Sequence, residues 1–120
     1  MITIDDFAKI EMTVGQVVEA IDQPGSEKLI RLRVNFGEET RTIFTAVRPY
    51  GYKPKYFLNK KFVFVTNLEP KMMPSFAPDG ATKGKGEESQ GMITAAEGSN
   101  GKPVFLVPAS KRVEVGARVR

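Results

Sequence analysis

The segment Ile30–Phe36 alternates strictly between apolar and polar side chains, and this alternation restricts the possible folds more than any other feature of the sequence. Apolar residues occupy every second position, and Arg31 and Arg33 stand between them. A period of two is typical of a β-strand with one buried face and one solvent-facing face, which here is basic. A turn at 37–39 leads into 40–47, whose β-branched residues favour a second, antiparallel strand.

The rest of the chain predicts further short strands separated by glycine- and proline-rich turns. The segment Ile10–Ala20 is either one long strand bent at Gly15 or two separate strands. Pro54–Leu58 is predicted to be a short helix, and Thr3 with Asp6 forms a capping-box pattern. Further strands are predicted at 62–65, 92–96 and 104–107. This pattern predicts an all-β, five-stranded Greek-key barrel of the oligonucleotide/oligosaccharide-binding (OB) type, with a short helix between strands 3 and 4 and extra C-terminal strands; an SH3-like barrel is the alternative.

The composition excludes most chemistry that depends on cysteine or histidine. The 120 residues are enough for one domain over 1–120, and they include no cysteine and no histidine. Disulfide scaffolds, zinc ribbons, thiol nucleophiles and imidazole bases are therefore excluded. The 18 basic and 14 acidic residues give a net charge of +4 and a pI of about 9.4, a mild bias toward polyanionic partners.

Neither a membrane nor an export route is expected for this sequence. The mean hydropathy is -0.25, and no apolar run approaches the roughly 20 residues of a spanning helix. Asp5 and Asp6 stand near the amino end, where a signal peptide would carry basic residues. We therefore expect a cytoplasmic protein.

The acidic and glycine-rich motifs do not indicate catalysis. Adjacent carboxylates such as Glu38 and Glu39 lie in turns and point apart, whereas an acid–base pair needs side chains that converge in a cleft. The run Gly80–Gly86 has the wrong spacing for a phosphate-binding loop. We expect no catalytic residues, no cofactor and no metal site.

The basic face of the second strand predicts nucleic-acid binding, although a simply solvated face gives the same pattern. In an OB barrel the outer face of strands 2 and 3 is the usual nucleic-acid surface, and Lys28, Arg31, Arg33 and Arg41 are expected to converge there. The segment 74–88 is predicted to be a flexible insertion loop beside this groove. This loop contains Lys83 and Lys85. It either adds these lysines to the contact surface or obstructs the groove.

Short motifs spread over nearly the whole chain form a specific set. They are Ile4-Asp5-Asp6-Phe7, Thr13-Val14-Gly15-Gln16-Val17-Val18-Glu19-Ala20, Lys28-Leu29, Tyr52-Lys53-Pro54, Asn59-Lys60-Lys61, Asn67-Leu68-Glu69-Pro70 and Ser89-Gln90-Gly91-Met92. This set resembles the tRNA-binding domain appended to methionyl-tRNA synthetases. The chain departs from that pattern in the turn 24–27, in Thr13, where a basic residue is usual, and in the longer insertion.

The resemblance implies an OB barrel that recognises tRNA by shape at the outer corner of the L, either free-standing or accessory to a methionyl-tRNA synthetase. By this resemblance the expected tRNA contacts are Lys28, Asn67, Ser89 and Met92. For Met92, a place in the core is the alternative. Charge alone adds Arg31, Arg33, Arg41 and Lys53 to the expected contacts. The resemblance also implies a homodimer, and the apolar segment 104–119 either serves that contact or packs on its own chain. A chaperone-like module related to export chaperones is the alternative function.

Overall fold

A long central strand organises an antiparallel sheet, described here from a computed structural model over residues 1–77 and 79–120. The strands are β1 (Met12–Asp22), β2 (Ile30–Asn35), β3 (Thr40–Thr45), β4 (Lys61–Val65), β5 (Lys71–Met73), β6 (Glu87–Ser89), β7 (Met92–Ile93), β8 (Ala95–Glu97), β9 (Pro103–Phe105) and β10 (Arg118–Val119). The helices are α1 (Ile4–Phe7), a 3₁₀ turn (Arg48–Tyr50) and α2 (Pro54–Phe57). The main sheet has the order β3-β2-β1-β4-β7, with β10 also on β1. The pairs β5–β6 and β8–β9 are separate hairpins.

The two edges of the main sheet are joined by Ser89 and Gln90. Gln90 donates its N–H to the carbonyl of Thr42 (2.8 Å), and its side-chain oxygen accepts the N–H of Thr42 (3.0 Å). The Ser89 hydroxyl oxygen accepts the N–H of Phe44 (3.1 Å). Since β7 begins at Met92 and pairs with β4, this short segment links β3 back to the opposite edge and closes the barrel.

The inner faces of the strands and one helical side chain form the core. Phe57 of α2 is fully buried, with its ring centroid 5.7 Å from that of Phe62 and 5.1 Å from that of Phe105. Burial of each such ring contributes about 1.5–3 kcal/mol. The other core residues are Val17, Ile30, Leu32, Val34, Phe36, Ile43, Val47, Phe64 and Ile93. The apolar face predicted for β2 therefore lies inside the barrel.

The predicted fold class is confirmed, as are the helix and the amino-terminal cap. The helix predicted over Pro54–Leu58 is found at Pro54–Phe57. The Thr3 hydroxyl accepts the N–H of Asp6 (3.1 Å), and the Asp6 carboxylate accepts the N–H of Thr3 (3.3 Å). Extra carboxyl-terminal strands are also present, as β8, β9 and β10.

The long amino-terminal strand is continuous. A register shift lies between Val17 and Glu19, so the irregularity falls after Gly15. Gly15 serves a different purpose: a Cβ there would lie 2.5 Å from Cγ1 of Val34 and 2.7 Å from the ring of Phe36. The glycine lets two buried side chains approach the backbone of β1.

Two predictions from local pattern were wrong in detail. The segment predicted as a loop over 74–88 ends in a strand, because β6 pairs antiparallel with β5, with Met73 opposite Glu87. Three-residue strands are too short to show a period of two. The strand predicted over 92–96 is divided at Thr94 into β7 and β8, because β7 pairs with β4 and β8 pairs with β9.

Replacing Gly15 by alanine is expected to destabilise the barrel by about 1–3 kcal/mol, because the added methyl group must displace Val34 or Phe36 in a packed interior. Urea unfolding followed by circular dichroism measures the change. A loss below about 0.5 kcal/mol would contradict the close approach described here.

Candidate nucleic-acid interface

Arg31 and Arg33 lie on the outer face of the sheet. Arg31 is opposite Phe44 of β3, and Arg33 is opposite Thr42. Residues directly paired across antiparallel strands share a face, and their neighbours in β2 are buried inside. The outward, basic face predicted from the alternation is therefore present.

Arg31 on that face is neutralised by the β5–β6 hairpin. Its Nε donates to Oε1 of Glu87 (2.7 Å) and its Nη2 to Oε2 (2.8 Å), and Nη1 lies 3.9 Å from a carboxylate oxygen of Glu19. The hydrogen bond to Glu87 raises the pKa of Arg31 although burial opposes it. A bidentate pair of this geometry occupies the edge of the guanidinium that a phosphate would use.

Arg33 and Arg41 occupy opposite faces, so the four predicted cations do not converge. Arg33 donates to the Thr42 hydroxyl (2.5 Å) on the outer face. Arg41 is opposite Val34, whose side chain is buried, and Arg41 donates to the carbonyl oxygens of Thr66 (2.6 Å) and Gln90 (3.2 Å). The hairpin register places Arg41 on the other side of β3, which its separation from Arg33 in the sequence does not reveal.

Arg41 faces a cleft of about 780 Å³ that is rich in carboxylates. Glu11, Glu38 and Glu39 line it together with Arg41 and Arg118. Arg41 is hydrogen-bonded to Glu39. Three carboxylates against two guanidinium groups make this cleft unfavourable for phosphate.

Asn67 and Ser89 make internal hydrogen bonds in this structure. Asn67 donates its side-chain amide to the carbonyl of Lys9 (2.7 Å), and its side-chain oxygen accepts the N–H of Glu11 (2.8 Å). Ser89 is only 5% exposed and bonds to β3, as described above. These side chains hold the amino-terminal segment and the barrel closure.

The candidate nucleic-acid site is a cleft between the turn 25–29 and the strand β5, here called the Lys28–Lys71 cleft. Its volume is about 980 Å³, and both lysines are exposed along it. Its apolar lining includes Met72, Met73 and Phe76. Two cations beside thioether and aromatic surface can hold a phosphate and the adjoining ribose or base.

Lys71 was not identified from the sequence. A single lysine after Pro70 belongs to no periodic pattern, and its only signal is its position directly after the Asn-Leu-x-Pro motif.

The remaining predicted contacts are exposed. Met92 is 48% exposed on β7 and is therefore not a core residue. Lys53 precedes α2. Lys83 and Lys85 lie in the 74–88 segment, where the backbone of Lys83 forms an isolated antiparallel β-bridge with that of Phe76. All three lysine side chains face solvent.

Within 1–77 and 79–120, no group of three or more aspartate or glutamate side chains is placed to bind a metal ion. None of the helices in those ranges has the length and apolar character needed to cross a bilayer.

The sequence comparisons identify a family. Residues 12–118 match the model of the tRNA binding domain family. Over 119 residues the chain is 39% identical to the methionine–tRNA ligase of Pyrococcus horikoshii. The aligned region covers 99% of this chain and 14% of the ligase. The chain thus spans about a seventh of the length of that relative.

Solved structures share the fold over the whole chain. The MetRS related protein from Pyrococcus horikoshii superposes with a TM-score of 0.81 at 38% identity, covering 100% of this chain and 98% of that one. The CsaA chaperone protein from Picrophilus torridus superposes with a TM-score of 0.76 at 26% identity, covering 100% of both. Both the fold similarity and the identity are higher for the first.

The Arg31–Glu87 pair predicts that part of the stability is lost in acid. The hydrogen bond from Arg31, with the charges of Arg31 and Arg33, lowers the pKa of Glu87 below its ordinary value of 4.5, although burial opposes the shift. A carboxyl whose folded pKa lies below its unfolded pKa stabilises the fold above the unfolded value, and the effect disappears as pH falls through the folded value. Glu87→Gln is expected to cost about 0.5–1 kcal/mol at neutral pH, because the pair is partly solvated.

Urea titrations between neutral pH and pH 3 test this. The difference between parent and Glu87→Gln should shrink below about pH 4.5, the ordinary glutamate value. Glu88→Gln is the matched control, because Glu88 is exposed and forms no ion pair among the described residues. A difference that stays constant across this range would contradict the assignment.

Proposed function

This chain belongs to the tRNA binding domain family, and from that premise we propose that it binds folded tRNA with the Lys28–Lys71 cleft as its central contact. The family is a binding domain, so the chain is not an enzyme by itself. The proposal depends on one observation, which is that this cleft places two exposed lysines beside apolar walls. The carboxylate-rich cleft around Arg41 lacks that character.

The lysines of the cleft supply electrostatic attraction, and its walls supply contact area. Each ammonium group that neutralises a phosphate releases condensed counterions, which makes binding steeply dependent on salt. Met72 is 59% exposed, and its flexible thioether can adapt to a ribose or a base. Lys83, Lys85 and Lys53 extend the cationic surface beyond the cleft.

Three of the family contact positions take two different roles in this proposal. Met92 offers an exposed apolar side chain to the RNA. Ser89 and Asn67, which bond internally, position the surface. Arg33 adds charge on the outer face, whereas Arg31 and Arg41 are held by Glu87 and Glu39.

Recognition is proposed to follow the shape of tRNA at the outer corner of the L. Contacts to phosphate and ribose fix orientation and carry no sequence information, so discrimination must come from the spacing of phosphates on a folded surface. The chain then serves either as a free-standing protein or as an accessory domain of an aminoacyl-tRNA synthetase, in the cytoplasm where tRNA is charged.

A gel-shift titration with unfractionated tRNA at two salt concentrations tests the function. We expect binding that weakens steeply with salt and survives an excess of single-stranded RNA of similar length. Complete displacement by that competitor would overturn recognition by shape. Absence of tRNA binding, with capture of an unfolded polypeptide instead, would favour the chaperone-like alternative.

The substitution Lys28→Ala tests the cleft itself. It is expected to weaken tRNA binding several-fold and to reduce the slope of log affinity against log salt by about 1, because one phosphate contact is lost. The matched control is Lys102→Ala, which removes the same charge from the exposed turn before β9. Equal effects of the two substitutions would show that only net charge matters.

We also propose a homodimer. The helix α1 is capped but contains no buried residue, and Ile2 and Ile4 are 69% and 78% exposed. Val104 and Leu106 are 50% and 44% exposed. The pairing of β9 with β8 therefore does not cover these apolar side chains. A well-formed helix with an uncovered apolar side is suited to dock on a second copy of the same chain, because a two-fold contact buries both copies of that side.

Light scattering at micromolar concentration is expected to give twice the chain mass of 13.3 kDa. Ile4→Asp should shift the mass toward the monomer by placing a charge in the contact, whereas Asp5→Asn should leave it unchanged. A monomer mass for the parent chain would remove the proposal.

A further inference from the structure

All three tyrosines of the chain lie between positions 50 and 56, and they line one cleft. Tyr50, Tyr52 and Tyr56 surround about 610 Å³ together with Lys53 and Lys55. The set is here called the tyrosine–lysine patch. The resemblance to the family assigns a tRNA contact to none of the tyrosines.

The inner wall of the patch is rigid. The ring centroids of Tyr52 and Tyr56 are 5.0 Å apart with an interplanar angle of 69°. The Tyr52 hydroxyl donates to the carbonyl of Pro103 (2.6 Å), and its ring contacts that of Phe105 edge-on at 5.0 Å. These contacts anchor the two half-buried rings to the core.

Tyr50 is the exposed ring of the patch, and the backbone that carries it is held in place. It is 46% exposed and ends the 3₁₀ turn. Gly51 follows at φ +92°, with its N–H bonded to the carbonyl of Arg48 (2.9 Å). Arg48 is itself fixed by Asp22 (3.2 Å) and by the carbonyl of Ser26. A ring on such a support can stack with little loss of conformational freedom.

The charges around the rings suit a phosphate. Lys53 and Lys55 are exposed at the rim, and the Lys60 ammonium lies 3.9 Å from the centroid of the Tyr56 ring. Aromatic faces beside ammonium groups match an aromatic base joined to an anion, the combination found in proteins that bind single-stranded nucleic acid. The chemistry therefore fits a nucleotide whose base is free to stack.

Shared lining residues of a smaller cleft connect the patch to the Lys28–Lys71 cleft. Glu27 lines that cleft and also a smaller one of about 220 Å³. The smaller cleft shares Gly51, Tyr52 and Lys53 with the tyrosine–lysine patch. It contains the carboxylate of Asp22, which is paired with Arg48. An RNA bound at Lys28 can therefore continue over the turn 25–29 and reach Tyr50.

We propose that the tyrosine–lysine patch is a stacking site for an unpaired nucleotide of the bound tRNA, with Tyr50 as the platform and Lys53 and Lys55 on its phosphates. This inference rests on the proposed function and names a second contact of the same RNA. The contribution of the patch to tRNA binding then comes from base stacking as well as from charge.

The test compares Tyr50→Ala with Tyr50→Phe in tRNA binding at several salt concentrations. Loss of the ring is expected to weaken affinity about tenfold, within the range found for base–aromatic stacking, and to leave the salt slope unchanged because no charge is removed. Tyr50→Phe keeps the ring and should bind within about twofold of the parent. Tyr50 is exposed, so both variants are expected to fold, and circular dichroism checks this.

Ring-labelled tyrosine NMR supplies an independent readout, because the chain has only three tyrosines. The Tyr50 signals should shift on addition of tRNA and of a short oligoadenylate. If Lys28→Ala weakens tRNA binding but Tyr50→Ala does not, and the signals stay fixed, the stacking site is wrong and the proposed function stands. If tRNA does not bind at all, or if only an unfolded polypeptide moves the signals, both are overturned.

Discussion

The hydrogen bonds that join Ser89 and Gln90 to the edge of β3 are the constraint on which the rest of the structure depends. Without them β3 would expose unpaired N–H and C=O groups, which can pair with a strand of another chain and lead to aggregation. The closure needs Gly91, at φ +152°, because a Cβ there would lie 2.9 Å from the carbonyl oxygen of Val65. Since β6 ends at Ser89, the same contacts anchor the β5–β6 hairpin beside the sheet. The closure of the barrel and the position of the proposed ligand surface are therefore set by one segment.

The hairpin changes the electrostatics of the face that it covers. It places the Glu87 carboxylate against the Arg31 guanidinium. This ion pair neutralises one positive charge on the outer face of β2. Its first strand also supplies Lys71, which lines a cleft together with Lys28 and several apolar side chains. The cationic surface is thus displaced from the strands to the cleft between two connecting segments. Connecting segments on a rigid barrel are common places for binding residues, since they vary without disturbing the core.

The fold could be predicted because its main signals are local, whereas the site depends on register and on distant partners. The alternation in Ile30–Phe36 reports burial directly, and Pro54 marks a helix start. The opposite faces of Arg33 and Arg41 follow from the turn between β2 and β3, and a one-residue difference in pairing reverses a side chain. The pairing of Arg31 with Glu87 joins residues 56 positions apart, which no local pattern reveals. Ser89 was recognised as a motif residue, but the sequence could not show that its hydroxyl faces inward.

The barrel closure joins Thr42 to Gln90, which are 48 positions apart, and this separation has a consequence for how the domain can change. The entropic cost of closing a loop grows only with the logarithm of its length, so doubling a loop costs about 0.6 kcal/mol. Residues added to or removed from the tip between β5 and β6 therefore alter the stability of the barrel little. The tip can be lengthened, shortened or recharged during evolution while the frame beneath it stays the same, so one scaffold can be fitted to differently shaped RNAs.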